Sequence, residues 1–272
     1  MASSDDNENG RFPRVGFLLY YDGDDRSVGP APSVDYGKYQ IREISVECGP
    51  KFADALLSKS RPGGLLDALE EIKKPATSTP VPGRQNVAGT TEHYLFHYND
   101  QFELVYRTIA TRHDEPRAIT RVTGDRSVTV QWGSWKGITK PIAIMPVPGR
   151  QGIDGKSESY VFHLDPKTGK LTYRTISVAH DAAHADALVV PDRVVADWWK
   201  SSLSGVDQLA MIMRVPGPPD GNAECFWVFH RDPKGTLLYR KIKVDRDTAH
   251  ADTLVTEDRV VADWWTSLKG VS

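Results

Sequence analysis

HADALVVPDRVVADWW spans residues 184–199, and HADTLVTEDRVVADWW spans residues 250–265 of the same 272-residue chain. Nearly the same sixteen letters recur 66 positions apart, and the match continues upstream. LTYRTISV (171–178) lies over LLYRKIKV (237–244), SYVFHLDPKTG (159–169) over FWVFHRDPKG (226–235), and IAIMPVPG (142–149) over AMIMRVPG (210–217). A third copy appears as PVPGRQ (80–85), HYLFHYND (93–100), LVYRTIA (104–110) and GDRSVTVQWGSW (124–135). A fourth, worn copy has GKYQIREISV (37–46) over GKLTYRTISV (169–178) and FADALL (52–57) over HADALV (184–189), without a clear first strand. Arg61, Arg126, Arg193 and Arg259 then fall in register at steps of 65, 67 and 66, so four units fill the chain, near 12–70, 71–137, 138–205 and 206–272.

Within a unit the periodicity is mainly that of strands. A short apolar run ends in Val-Pro-Gly. An alternating aromatic strand such as Tyr160-Val161-Phe162-His163 follows, and an Asp-Pro-Lys-Gly type of turn folds it back onto Leu171-Thr172-Tyr173-Arg174. A fourth strand is expected over Asp186 to Val190. After it, Pro191-Asp192 reads as a helix start, with Val194, Val195, Trp198 and Leu203 at helical spacing and Gly205 as the stop. A small sheet cannot bury both faces alone and must stack on its neighbours around an axis. The expected fold class is therefore all-β, a four-bladed β-propeller in one domain over residues 12–272. No Pro/Gly/Ser-rich linker divides the halves near Gly137.

The order of short strand, Phe-His-x-Asp strand, Tyr-Arg strand, Asp-Ala-Leu-Val-Val-Pro-Asp-Arg and a helix with paired aromatics resembles the hemopexin-type repeat over residues 15–270. The resemblance implies a four-bladed propeller whose channel often holds a cation on inner-strand carbonyls, and haem or a polyamine as a single central ligand. This chain departs from it at Pro141-Ile142-Ala143 and Leu209-Ala210-Met211, where the family's inner strand opens Asp-Ala-Ala. The resemblance also suggests a ring-closing disulfide between Cys48 and Cys225. The two cysteines occupy different positions within their units, so two free thiols are the expectation.

Composition narrows the function. Lys+Arg number 34 against 36 Asp+Glu, a net charge of −2, which offers no general attraction to nucleic acid or to anionic membranes. No stretch approaches the length of a membrane span. Residues 1–11 read as a loose polar tail without the features of a secretory signal, so the chain reads as cytosolic, or as a mature form with its leader removed. There is no nucleophile elbow, no phosphate-cradling glycine loop and no His-Glu-x-x-His.

Three sets of residues recur. His97, His163 and His230 share one place in the aromatic strand, with Tyr20 at that place in the first unit. They would either line a shared pocket, as metal, haem or hydrogen-bonding ligands, or satisfy their own sheets. Arg42, Arg107, Arg174 and Arg240 follow on the next strand, able to grip a carboxylate or stack on a ring, or else to tie units together through carbonyls or an Asp such as Asp165 or Asp232. Trp198-Trp199 and Trp264-Trp265, with Trp132 and Trp135 in the second unit, offer core packing or, where Trp198 and Trp264 reach the rim, a surface for stacking a sugar. His180-Asp181, His184-Asp186 and His250-Asp252 have a metal-pair spacing that the second unit does not keep, and read as solvated loops.

Together these features favour a non-catalytic binder with several similar sites for a glycan, since candidate residues are spread evenly over the repeats. A binder of one small molecule at the channel mouth is the second reading. An enzyme using that mouth as an acid/base pocket is the third.

Overall fold

Alternating letters such as Tyr160-Val161-Phe162 send successive side chains to opposite faces of an extended strand, and both faces here are apolar. Strands of that kind must be covered on two sides. The structure, a computed structural model, describes residues 14–21, 39–47, 53–62, 67–69, 72, 74–85, 87–112, 119–180, 185–215, 223–245, 252–265 and 268; for 14–62, Asp67 and Lys74 it describes the backbone alone. It is a mostly β structure of antiparallel sheets, one per sequence unit.

The first sheet has the order β1 (Arg14–Tyr21), β2 (Tyr39–Glu47), β3 (Ala53–Pro62). The second runs β4 (Lys74–Pro80), β5 (Thr90–Tyr98), β6 (Leu104–Arg112), with the outer place divided between β7 (Ile119–Arg121) and β8 (Arg126–Ser127), both paired with β6. The third holds β9 (Pro141–Ile153), β10 (Lys156–Leu164), β11 (Leu171–Ala179) and β12 (Asp186–Val194) in sequential order. The fourth repeats it as β13 (Gln208–Arg214), β14 (Ala223–Arg231), β15 (Leu237–Asp245) and β16 (Asp252–Val260).

The worn first unit keeps the repeat's register. Leu18 pairs with Arg42 and Tyr20 with Gln40, as Val161 pairs with Arg174 and His163 with Thr172. Its inner strand is absent from the described residues; of residues 8–14, the expected substitute, 8–13 lie outside them and Arg14 belongs to β1.

The expected helix from Pro191-Asp192 is a correction. The outer strand continues to Val194, and only Val195–Trp198 (α2) is helical; Val128–Gln131 (α1) and Val261–Trp264 (α3) are its counterparts. The cause is a bulge: Tyr173 pairs with Arg193 and Thr175 with Val190, which leaves Pro191 and Asp192 opposite Arg174. An edge-strand bulge tolerates a proline, which has no ladder bond to give, and it re-aims the residue beside it. The same irregularity sets Glu257 and Asp258 opposite Arg240.

A second bulge recurs in the inner strands. Ala76, Ile142 and Ala210 are each the unpaired extra residue, at equivalent places in β4, β9 and β13. All three line one cavity.

Packing between sheets has a fixed direction. Tyr94, Phe96, Tyr106, Trp132 and Trp135 of the second unit bury against Ile144, Val161, Ile176 and Val178 of the third. The opposite face of the third, with Tyr160, Phe162, Tyr173 and Trp199, meets Phe226, Val228, Ile242 and Val244 of the fourth. An aromatic face thus packs on the opposite face of the next sheet, which is aliphatic but for Phe226. Within each aromatic face a Tyr and a Trp meet edge to face: Tyr106–Trp132 at 5.7 Å, Tyr173–Trp199 at 5.9 Å and Tyr239–Trp265 at 5.8 Å between centroids. Such geometry sets the positive ring edge against the negative ring face.

Candidate functional site

The recurring histidines and arginines converge on a third residue in each unit. Arg174 grips Asp192 with both oxygens engaged, Nε to Oδ1 and Nη2 to Oδ2 at 2.6 Å each, and His163 Nε2 reaches the same Oδ1 at 3.0 Å. In the fourth unit Arg240 and His230 hold Asp258 at 2.6, 2.6 and 2.8 Å. In the second, Arg107 and His97 hold Asp125 at 2.6, 2.8 and 3.1 Å. A carboxylate only accepts, so each imidazole donates from Nε2. Burial alone would raise these three carboxyl groups, but the hydrogen bonds and charges of His and Arg outweigh it and hold all three below the usual carboxylate range.

The remaining guanidinium nitrogen crosses to the preceding unit. Arg174 Nη1 donates to the carbonyls of Ser134 (2.7 Å) and Lys136 (3.0 Å), Arg240 Nη1 to those of Ser202 (3.0 Å) and Ser204 (2.9 Å), and Arg107 Nη1 to that of Ala68 (3.2 Å). The clusters therefore stitch consecutive units. Asp165 and Asp232, the carboxylates expected for this task, are used inside their own turns instead, accepting from the N–H groups of Lys167 and Thr168 and of Lys234 and Thr236. They follow the aromatic strand too closely in sequence to reach the next strand's Arg, whereas the bulge delivers Asp192 opposite it.

His97, His163 and His230 are at most 3% exposed, each within its own sheet. Nε2 of each is committed to an aspartate, and Nδ1 of His97 and of His230, which has no hydrogen-bond partner, is enclosed rather than open to a common pocket, so these residues do not fit a haem. Arg107, Arg174 and Arg240 are likewise buried. Tyr20 and Arg42 occupy the corresponding backbone positions of the first sheet, and their side chains are outside the description.

The tryptophan pairs separate. Trp199 and Trp265 are fully buried, while Trp198 and Trp264 remain 43% and 47% exposed. The Arg193 guanidinium lies over the Trp198 ring at 3.7 Å from its centroid, and Arg259 lies over Trp264 at 4.2 Å. Adjacent helical positions point about a quarter turn apart, which is why one indole anchors the core and the other faces out. In the second unit the residue aligned with Trp198 is Gln131, and both Trp132 and Trp135 are interior. The exposed platform thus belongs to units three and four. Arg193 and Arg259 were visible in the sequence only as register markers; their spacing of five residues before the outward Trp is the signal that pairs them.

A cavity of about 590 Å³ opens where the inner strands begin, lined by Pro75 and Ala76 of β4, Tyr98, Phe102, Thr139, Lys140, Pro141 and Ile142 of β9, and Ala210 of β13. The side chains of these lining residues are apolar apart from Lys140, Thr139 and the Tyr98 hydroxyl, which donates to the Thr139 carbonyl at 2.8 Å. No group of three or more His, Cys, Asp or Glu side chains able to hold a metal occurs among the described residues.

The H-x-D pairs divide as well. Asp186 accepts from the backbone N–H groups of Gly133 and Ser134 at 3.2 and 2.6 Å, a further tie between units two and three, and His180 Nε2 lies 2.8 Å from Ser157 Oγ. Asp181, His184 and His250 lie outside the described residues. Cys225 carries a free thiol, and Cys48 also lies outside the description. No described helix is long and apolar enough to cross a membrane.

No protein-family model matches the chain, and no curated protein matches it. One solved structure to which it is similar is the α-L-arabinofuranosidase of Podospora anserina in complex with cellotriose, with 8% sequence identity and a TM-score of 0.35. The match covers 82% of this chain and 64% of that one, so the chain spans less than two thirds of its length. A likeness of that size carries no argument about fold or activity.

Proposed function

We propose that the chain is a single-domain, four-bladed β-propeller of the hemopexin-like type that binds carbohydrate, without catalysis, at repeated Trp–Arg platforms. Three features support the ring. The bulged residues of three inner strands converge on one space. The aromatic faces of the second and third sheets each pack on the opposite face of the next sheet. The aromatic face of the fourth sheet, with Trp227, Phe229, Tyr239 and Trp265, is itself buried, as it would be against the first. Head-to-tail contacts of this kind close when their rotation closes.

The observation that carries the binding reading is the pair of outward indoles, each with a guanidinium against the ring, at equivalent places on successive units. An exposed aromatic face stacks on the apolar face of a pyranose, and an adjacent Arg donates hydrogen bonds to its hydroxyls. Repetition turns weak single contacts into avidity for a branched or polymeric glycan. His163 and His230, buried and bonded to aspartates, are not offered for acid/base work at these platforms.

A glycan array tests the reading. Binding should appear on multivalent presentations and fall steeply in the W198A/W264A double variant, with each single variant intermediate. No signal on any glycan, or full binding by the double variant, would remove it.

A further inference from the structure

Three hairpins between the second and third strands of a unit are described, and two of them close on a glycine with left-handed backbone. In the third unit the turn from Asp165 closes on Gly169 at φ +68°, and in the fourth the turn from Asp232 closes on Gly235 at φ +84°. In the second unit the turn from Asn99 puts Phe102 at that position, with φ +60° and 69% of its surface exposed. A large aromatic residue is disfavoured in the left-handed region, where glycine is at home, and it gains little from water. The turn is nonetheless held firmly: Asn99 Oδ1 accepts from the N–H groups of Gln101 and Glu103 at 3.0 and 2.9 Å, and the Phe102 N–H donates to the Asn99 carbonyl at 3.0 Å. A residue kept in a costly conformation by an over-determined frame is an indication of use.

Phe102 stands at the rim of the 590 Å³ cavity, a volume suited to a small organic molecule. Tyr98 is fixed as the facing wall by its bond to the Thr139 carbonyl. Ile142, Pro75 and Pro141 complete an apolar lining, in which Lys140 is exposed and is paired with no carboxylate among the described residues. A sugar would find few partners for its hydroxyls in such a wall. An apolar body ending in one negative charge would match both the lining and the ammonium group.

We propose that this cavity is a second ligand site, separate from the Trp–Arg platforms, that binds an amphipathic carboxylic acid with its apolar body against Phe102, Tyr98 and Ile142 and its carboxylate on Lys140. The site breaks the repeat symmetry, since the other two described turns present glycine where Phe102 stands. It therefore takes one ligand per chain.

Isothermal titration of the full chain with dodecanoate, and with dodecanol as the neutral counterpart of the same body, tests the site. The expected result is one equivalent of dodecanoate bound, about tenfold or more tighter than dodecanol, as a charge-assisted contact provides. In Lys140→Gln that preference should disappear while dodecanol binding is kept. Phe102→Gly should weaken both ligands by a similar factor, with far-UV circular dichroism unchanged. The W198A/W264A variant should bind dodecanoate as the unaltered chain does, so failure of the glycan reading leaves this site standing. Absence of dodecanoate binding up to millimolar concentration, equal affinity in Lys140→Gln, or unchanged affinity in Phe102→Gly would overturn the proposal.

Discussion

Replacing Arg174 with Leu removes four hydrogen bonds at once: two at 2.6 Å to Asp192 and two, at 2.7 and 3.0 Å, to the carbonyls of Ser134 and Lys136 in the preceding unit. Leu fills part of the volume but donates nothing, so the loss lies in the acceptors left behind. Asp192 has a side chain 45% exposed and can rehydrate, which discounts its share well below that of a sealed ion pair. The carbonyl of buried Ser134 has no such recourse, and stranding an acceptor of that kind costs about 1–3 kcal/mol. The sum is about 3 kcal/mol, a large part of the 5–15 kcal/mol by which domains are ordinarily stable. With a urea m-value of about 3 kcal/mol/M, the unfolding midpoint should fall by about 1 M. Intrinsic tryptophan fluorescence suits the assay, because Trp132 and Trp199 sit at the boundaries between units two and three and units three and four and report their separation. Asp192→Asn completes a double-mutant cycle, whose coupling energy should reach at least about 1 kcal/mol. A loss below about 1 kcal/mol for Arg174→Leu, or coupling near zero, would refute the view that these clusters hold the units together.

Trp199→Ala should cost about 3–5 kcal/mol and Trp198→Ala less than about 1 kcal/mol, although the two are neighbours in sequence, because one is enclosed and the other is not; denaturation curves of equal slope would establish the contrast, and similar costs would contradict it. Asp125, Asp192 and Asp258 have folded-state values lowered below their unfolded value of 3.8. Their contribution is therefore complete above about pH 4 and is lost as pH falls through the lower folded values. Thermal melting should be flat from neutral pH to about 5 and decline below 4, and D192N should show a shallower acid decline than the unaltered chain. Phe102→Gly should leave stability unchanged or raise it by up to about 1 kcal/mol, since the relief of left-handed strain exceeds the entropy of a new glycine; a clear loss in scanning calorimetry would mean that the ring is structural.

The strand order within units three and four and the register positions of His, Arg and Trp were legible in the letters, since a repeat copies its framework residues. The direction of packing was not, because which face of Tyr160-Val161-Phe162 meets which neighbour is decided between units. Asp192 was read as a helix start since Pro-Asp commonly opens one; opposite Arg174 the gain from a gripped carboxylate outweighs that local preference and draws the chain into a bulge. Trp198 and Trp199 illustrate the limit of letters alone, as identical residues one step apart take opposite environments. Phe102 left a trace that could have been followed: it interrupts an otherwise glycine-closed turn.

The guanidinium that reaches back to carbonyls of the preceding unit gives the molecule a polarity in time as well as in space. On the ribosome a newly emerged third segment would find its acceptors already made, at Ser134 and Lys136, and the fourth would find Ser202 and Ser204. Synthesis from the amino end thus presents the described latches of Arg107, Arg174 and Arg240 with their catches in order; loss of the fourth unit would forfeit one latch and leave those of Arg107 and Arg174 engaged, whereas loss of the second unit would leave Arg174 with nothing to seize.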